Sequence, residues 1–319
     1  LNATTCKTLK NGLAVEADCR GGLPFPIPKT GYEVMWNLQL RYKADTTTKS
    51  SRSWVVDSSG KAVMTAQQQT LEETPYYHAD LDGRDPLMYW RTHSITQSPV
   101  RKAGEATGIV DYLDPTEKPR RAWSYTPGQR RVKLAPEFSY DTPVSSMGGV
   151  TLFDELFVFS GMMDRFDFKL VGKKEMYIPY NAYKLYFGCK TEEQFMPSHA
   201  NPQCWRWELH RVWEVEATVV SGKRHAVPKR RYYFDEDTWL LALVDGYDSE
   251  GKLWRTSMVP NFFVPAVPAV LAKPVTIHNL QAGTMSTVQG LFQDEAYRVV
   301  PRKNESFFTG DAAAADADR

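Results

Sequence analysis

Residues 205–220 read WRWELHRVWEVEATVV, residues 230–248 read RRYYFDEDTWLLALVDGYD, and residues 251–259 read GKLWRTSMV. In the first run Trp205, Trp207, Leu209, Trp213 and Val215 share one parity, while Arg206, Glu208, His210, Glu214 and Glu216 share the other. Side chains of a strand alternate between its two faces, so this pattern predicts a sheet with one apolar and one wetted face. Trp239 and Trp254 carry large aromatics into the two following runs. An apolar face has to be covered by a second layer, by helices or by a ligand. What covers it is the functional question.

Working outward from this stretch, short strand-like runs recur at 51–70, 86–97, 104–114 and 120–134, separated by Gly and Pro turns. Ser58-Ser59-Gly60 between two β-prone runs predicts a hairpin. DRFDFKLVGKKEMYIPYNAY (164–183) predicts another, turning at Gly172-Lys173. Helix is scarce. EVMWNLQLRY (33–42) places Val34, Met35, Leu38 and Tyr42 on a helical stripe, and TLFDELFVFSG (151–161) predicts a short helix capped by Thr151. PNFFVPAVPAVLAKP (260–274) is apolar but broken by prolines, which excludes a long helix or a central strand and predicts a flap or an extended crossing. The chain thus divides into an irregular lead-in (1–31), one large α+β domain of mostly antiparallel strands curled into an open barrel (32–308), and a small, acidic tail expected to fray (309–319).

The formal net charge of +1 argues against a dedicated nucleic-acid binder. No stretch is apolar for long enough to form a membrane-spanning helix. The four cysteines form two local pairs, Cys6 with Cys19 and Cys189 with Cys204. They have no CxxC or zinc spacing, and two readings remain: a pair of disulfides, each adding about 3 kcal/mol in the chain-entropy model, or four buried thiols. The disulfide reading implies an oxidising compartment. The chain opens at Leu1 without Met or an apolar leader, which leaves either a removed signal segment or a piece of a longer protein.

Catalytic signatures are missing. There is no GxSxG, P-loop, GxGxxG or HExxH, so no catalytic residue, metal site or cofactor is assigned. Spacing alone leaves glycosidase-like carboxylate pairs open. Glu208 and His210 share a strand face, where cross-strand pairing explains them better than chemistry does. Arg120, Arg121, Arg130 and Arg131 flank Trp123 and Tyr125 in a predicted hairpin and form a candidate headgroup site, against the alternative of solvated arginines paired to local acids. Trp36, Trp54, Tyr89, Trp123, Phe166, Phe168, Trp213, Trp239 and Trp254 are candidates to line the concave side of the sheet; ordinary core packing requires the same residue types. The 260–274 segment and the Trp36 helix are the candidate lids.

GGLPFPIPKTGYEVMWN (21–37), RAWSYTPGQRRVKLAP (121–136), ELHRVWEVEAT (208–218), GKRHAVPKRRYYFDEDTW (222–239) and DGYDSEGKLWR (245–255) resemble the DUF1329 family. These are secreted proteins of Gram-negative bacteria, often labelled outer membrane lipoprotein-sorting proteins. The resemblance implies a fold like that of the lipoprotein carrier LolA and the receptor LolB: an open antiparallel barrel, closed by helices, around a cavity for acyl chains. It further implies a periplasmic, non-catalytic carrier of lipid or another hydrophobic molecule. An RND-type transporter or an outer-membrane protein is the implied partner. The alternative is an adaptor subunit of such a transport assembly that binds no ligand, docking through its apolar 260–270 segment.

Overall fold

A computed structural model describes residues 8–9, 12–13, 20–78, 80, 84–144, 147–265, 267–291 and 297–317. The strands of the first half are β1 (Thr8–Leu9), β2 (Gly12–Leu13), β3 (Thr46–Val56), β4 (Ala62–Glu73), β5 (Met88–Ser98), β6 (Ala106–Tyr112), β7 (Arg121–Thr126), β8 (Arg131–Leu134) and β9 (Phe166–Pro179). Those of the second half are β10 (Phe195–Met196), β11 (His199–Ala200), β12 (Trp207–Val219), β13 (Lys229–Asp235), β14 (Leu241–Tyr247), β15 (Leu253–Met258), β16 (Asn261–Val264), β17 (Ala269–Ala272), β18 (Val275–Asn279), β19 (Thr284–Leu291) and β20 (Arg298–Val299). Two α-helices, α1 (Gly31–Leu40) and α2 (Gly310–Ala317), accompany them.

One antiparallel sheet of 14 strands carries the fold, in the order β8-β7-β6-β5-β4-β3-β19-β18-β15-β14-β13-β12-β9, with β20 added beside β3. β8 and β9 are the two ends of this order, so the sheet is a curved, open barrel. Turn chemistry sets its register at two places in the same way. In DSSGK the Asp57 carboxylate accepts from the backbone N–H groups of Ser59 and Lys61, and in DSEGK Asp248 accepts from Glu250 and Lys252. Gly60 and Gly251 supply the left-handed residue at φ 89° and 78°.

The alternation in β12 holds from its middle onward. Trp213, Val215 and Ala217 pack on the main core, while Glu214 and Glu216 pair with Lys174, Lys229 and Arg231 on the outer face. Trp207 and Leu209 share the inner parity yet lie exposed, because the core stops short of that end of the strand.

α1 forms where the sequence predicts a helix but ends at Leu40, which leaves Tyr42 of the expected stripe outside it and exposed. Thr30 and Glu33 build a reciprocal capping box, and Val34, Met35, Trp36, Leu38 and Leu40 are buried. A Cβ on Gly31 would meet the Phe168 carbonyl oxygen at 2.5 Å, so glycine lets the helix start directly on β9. The remaining cover is a surprise. The connection 135–165 runs from β8, at one end of the sheet, to β9 at the other, and so crosses the concave face. Phe138, Val144, Met147, Val158 and Phe159 from this connection sit in the main core with Trp36, Phe166, Phe168, Tyr232 and Phe234.

Three local expectations change. The 151–161 segment makes only a single 3-10 turn, Phe153–Glu155, and Thr151 bonds the Ser286 hydroxyl at 2.7 Å rather than capping a helix. The predicted hairpin at Gly172-Lys173 is one continuous strand, β9. Gly172, at φ 149°, marks a bulge where Val171 is the unpaired extra residue between Leu170 and Gly172. The acidic tail is helical over Gly310–Ala317, with Ala314 packed on Trp123 and Val132 and Phe308 stacked under the Arg91 guanidinium.

Candidate functional site

Three arginines fasten the crossing connection to the sheet. Arg120, just ahead of β7, binds Asp111 of β6 through two hydrogen bonds of 2.6 Å and donates to the carbonyls of Phe138 and Ser160. Arg230 of β13 donates to Asp154 at 2.6 Å, and the His225 ring lies 3.0 Å from the same carboxylate. Arg255 of β15 grips Glu155 at 2.8 and 2.5 Å and also donates to the Val150 carbonyl. Burial alone would raise the Asp154 carboxyl, but Arg230 and His225 hold it well below the usual carboxylate range. Every cation here has a buried acid of its own, an arrangement suited to holding a loop rather than to proton transfer.

Among the described residues, two hollows stand out beneath this cover. The larger, about 540 Å³, lies over the β4–β7 part of the sheet. Gln68, Thr92, Ser94, Thr96, Thr107 and Ser124 line it from the sheet side; Phe138, Val144, Met147, Phe153, Leu156 and Phe157 line it from the crossing connection. The smaller, about 80 Å³, lies under the end of α1 and the β16–β17 hairpin. Its apolar walls include Leu38, Trp90, Phe159, Leu241 and Leu271, and its polar groups are Arg41, Lys43, Lys49, Lys273, Glu72 and Asp111. Phe157 lines both hollows. Phe157 and Val158 adopt φ 58° and 75°, a left-handed conformation that is costly for a bulky and for a β-branched residue.

The charges of the smaller hollow do not balance. Asp111 is taken by Arg120, and Lys49 reaches Glu72 at 2.5 Å. Lys273 donates to the Gln289 side-chain carbonyl and lies 4.0 Å from the centre of the Phe157 ring. Arg41 donates to the Val270 carbonyl, and its Nε has no hydrogen-bond partner among the described residues. Desolvation, then Arg41, lowers the Lys43 amine to about 7; desolvation, then Lys49, pushes the Lys273 amine well below its usual value. Glu72, which burial alone would raise, is held at about 2 by Lys49 and Lys273.

The aromatic residues nominated from sequence divide. Trp36, Tyr89, Phe166, Phe168 and Trp239 are buried in the main core, and Trp213 packs against it. Trp54 packs instead on Phe195 of the β10–β11 hairpin. Trp123 turns to the convex face, against His93 and α2. Trp254 sits beside the inward-facing Arg255, and its indole donates to Asn279. None of the nine lines either of these two hollows, but Trp36 and Tyr89, with Arg120, border a further one of about 20 Å³.

The four nominated arginines do not converge. Arg120 is buried in the loop fastening, whereas Arg121, Arg130 and Arg131 are exposed. Arg131 pairs with Thr126 at the turn of the hairpin, and Arg121 lies five residues back along β7. At about 3.3 Å per residue the strand itself holds the pairs apart. Of the candidate lids, the end of α1 and residues 270–273 of the Pro-rich segment line the smaller hollow.

Of the two cysteine pairs, Cys189–Cys204 is a disulfide; Cys6 and Cys19 lie outside the described residues. Glu208 and His210 sit on the convex face, 3.3 Å apart, with Tyr180 stacked on the imidazole. Among the described residues, His210, Asp235 and Asp237 place one ligand atom each within 4.8 Å of one another. Sequence spacing missed that group because two strands contribute to it. It missed the four cavity cations because only the fold brings Lys273 to Arg41, Lys43 and Lys49.

The profile of the family described as "Protein of unknown function (DUF1329)" matches residues 1–314. The chain belongs to the DUF1329 family. It is 38% identical over 262 residues to the uncharacterized protein PA3922 of Pseudomonas aeruginosa, a match that takes in 80% of this chain and 56% of that relative. The chain therefore spans little more than half the length of its curated relative. In structure, this DUF1329 protein resembles a putative outer membrane lipoprotein-sorting protein domain from Vibrio parahaemolyticus (TM-score 0.59, 13% identity, 90% of this chain and 98% of that one). A DUF1329 family protein from Desulfovibrio piger matches with TM-score 0.59 at 13% identity over 89% and 97% of the two chains. The LolA superfamily protein NE2245 from Nitrosomonas europaea matches with TM-score 0.50 at 11% identity over 89% and 100%. The fold is thus LolA-like, as the sequence resemblance implies.

Proposed function

We propose that this protein is a non-catalytic carrier that binds lipid or another hydrophobic molecule in the periplasm. The observation that carries the reading is the open, 540 Å³ hollow between the concave sheet and the crossing connection, whose Phe138, Val144, Met147, Phe153, Leu156 and Phe157 give it an apolar wall opposite the hydroxyls of the sheet. A hollow of this size falls within the range of small-molecule sites. Burying the ligand's apolar area there is worth about 25 cal/mol per Å². The LolA-like fold and the lipoprotein-sorting name borne by a structural relative agree with this use. The arginine-neutralised Asp154 and Glu155 are unsuited to acid–base work, which favours carriage over hydrolysis. No helix among the described residues is long and apolar enough to cross a membrane.

An adaptor role in an RND-type transport assembly has less support. It would use the Pro-rich segment as a docking surface, yet Phe262, Val267, Ala269 and Leu271 of that segment are turned inward. Native mass spectrometry of protein taken from a Gram-negative periplasm tests the carrier reading. A co-purified hydrophobic molecule, exchangeable with a fluorescent hydrophobe, is expected. A bare protein that takes up no hydrophobe counts against it.

A further inference from the structure

The smaller hollow differs from an ordinary core void in being cationic. Arg41, Lys43, Lys49 and Lys273 border it, and among the described residues only Lys49 has a carboxylate at ion-pair distance. Lys49 and Lys273 are buried and Arg41 and Lys43 half-buried; like charges brought together in this way either give up protons or are offset by an anion. Leu38, Trp90, Phe159, Leu241 and Leu271 supply the apolar part of its wall, beside Gln39, Ser160 and Tyr297. At about 15 Å³ for each water, 80 Å³ holds about five, the scale of one carboxylate or phosphate group. A whole acyl chain does not fit there.

The chain of such a molecule has a place to go. Phe157 is the shared wall between the cationic hollow and the 540 Å³ hollow, with the Lys49 and Lys273 amines 5.9 and 4.0 Å from its ring centre. Its left-handed backbone makes it a strained partition rather than a relaxed core residue. Lys273 also reaches Gln289, which lines the larger hollow. A polar step therefore accompanies the aromatic wall from one hollow to the other.

We propose that the ligand is an anionic amphiphile, whose acid group sits among Arg41, Lys43, Lys49 and Lys273 while its apolar chain passes Phe157 into the larger hollow. This rests on the carrier reading and specifies its substrate class. Carboxylate and phosphate headgroups share the chemistry the site recognises, a compact anion that accepts several charge-assisted hydrogen bonds.

The test is calorimetric binding of palmitate, dodecyl phosphate, hexadecanol and inorganic phosphate to the wild-type protein and to the Lys43→Met/Lys273→Met double variant. Expected are binding of either amphiphilic acid at least tenfold tighter than hexadecanol, little binding of inorganic phosphate, and loss of that tenfold preference in the double variant. Equal affinity for hexadecanol, or an acid preference that survives in the double variant, overturns the proposal while leaving a hydrophobe carrier intact. Inorganic phosphate binding as tightly as the acids identifies a free anion as occupant and overturns it too. Failure of all four probes removes the carrier reading along with the proposal. The wild-type comparison of acid with alcohol stands even if the double variant does not fold.

Discussion

Two charged regions lie inside this barrel, and they are built on opposite plans. At the crossing connection Asp154 and Glu155 meet Arg230, His225 and Arg255, and each buried charge has an opposite partner at hydrogen-bond distance. In the hollow under α1, Arg41, Lys43, Lys49 and Lys273 come together, and among the described residues only Lys49 reaches a carboxylate, that of Glu72. The first plan is closed. It satisfies itself and fixes a loop. The second is open, because the protein brings cations together and leaves the anion to be supplied. The contrast separates a structural ion-pair network from a binding site, although buried basic residues look alike in a sequence.

Removing one partner from the closed network should have the largest effect. Asp154→Ala strands Arg230 and His225 in the core, and urea denaturation should show a loss of about 3–5 kcal/mol. Replacing the pair together, as Asp154→Leu with Arg230→Met, should recover much of that loss. A single variant as stable as the wild type would mean that the connection is not fastened there.

Reduction of Cys189–Cys204 comes next. The disulfide closes a 15-residue separation and packs in a cluster with Phe262 and Leu271, the latter lining the cationic hollow from above. Opening it should cost about 3 kcal/mol and speed ligand release, while leaving the preference for acid over alcohol unchanged. A lost preference would place headgroup recognition in the roof instead of the cations.

Lys43→Met should act in the opposite sense to the first change, raising stability by about 1 kcal/mol at pH 7 as it removes a half-buried cation with no carboxylate at ion-pair distance among the described residues. The sign with pH follows from linkage. The Lys43 amine falls from its ordinary 10.5 to about 7 on folding. The unfolded chain therefore binds more protons between those values, and the wild type gains stability as pH rises from 7 toward 10.5. The advantage of Lys43→Met in thermal melts should be greatest below pH 7 and vanish near pH 10.5. Asp154 moves the other way: its contribution is present above the usual carboxylate range and fades only as pH falls through and below it. A pH-independent gap between wild type and Lys43→Met would show that Lys43 is solvated.

Much of the fold was legible. Alternation in 205–259, the turn residues of DSSGK and DSEGK, and the stripe 33–42 each express one local rule, and those rules agree with the sheet and with α1. The cover over the apolar face was not legible. Residues 135–165 obey no single period: their Phe and Val side chains are placed by a path across the concavity, and Asp154 and Glu155 are held there by arginines from distant strands. Gly172 looked like a turn because the same backbone freedom serves a bulge. Arg120 looked like a ligand group because only the fold brings Asp111 and the Phe138 and Ser160 carbonyls to it. Lys43 and Lys273 border one hollow although most of the chain separates them, and no spacing along the chain announces that.

The most direct test of the open cation cluster is the titration of Lys43, followed by NMR on ¹³C-dimethylated lysines with and without palmitate. An amine titrating near pH 7 in the free protein, and well above that once palmitate is bound, is the predicted result. An amine that titrates near its ordinary 10.5 in both samples would contradict the account.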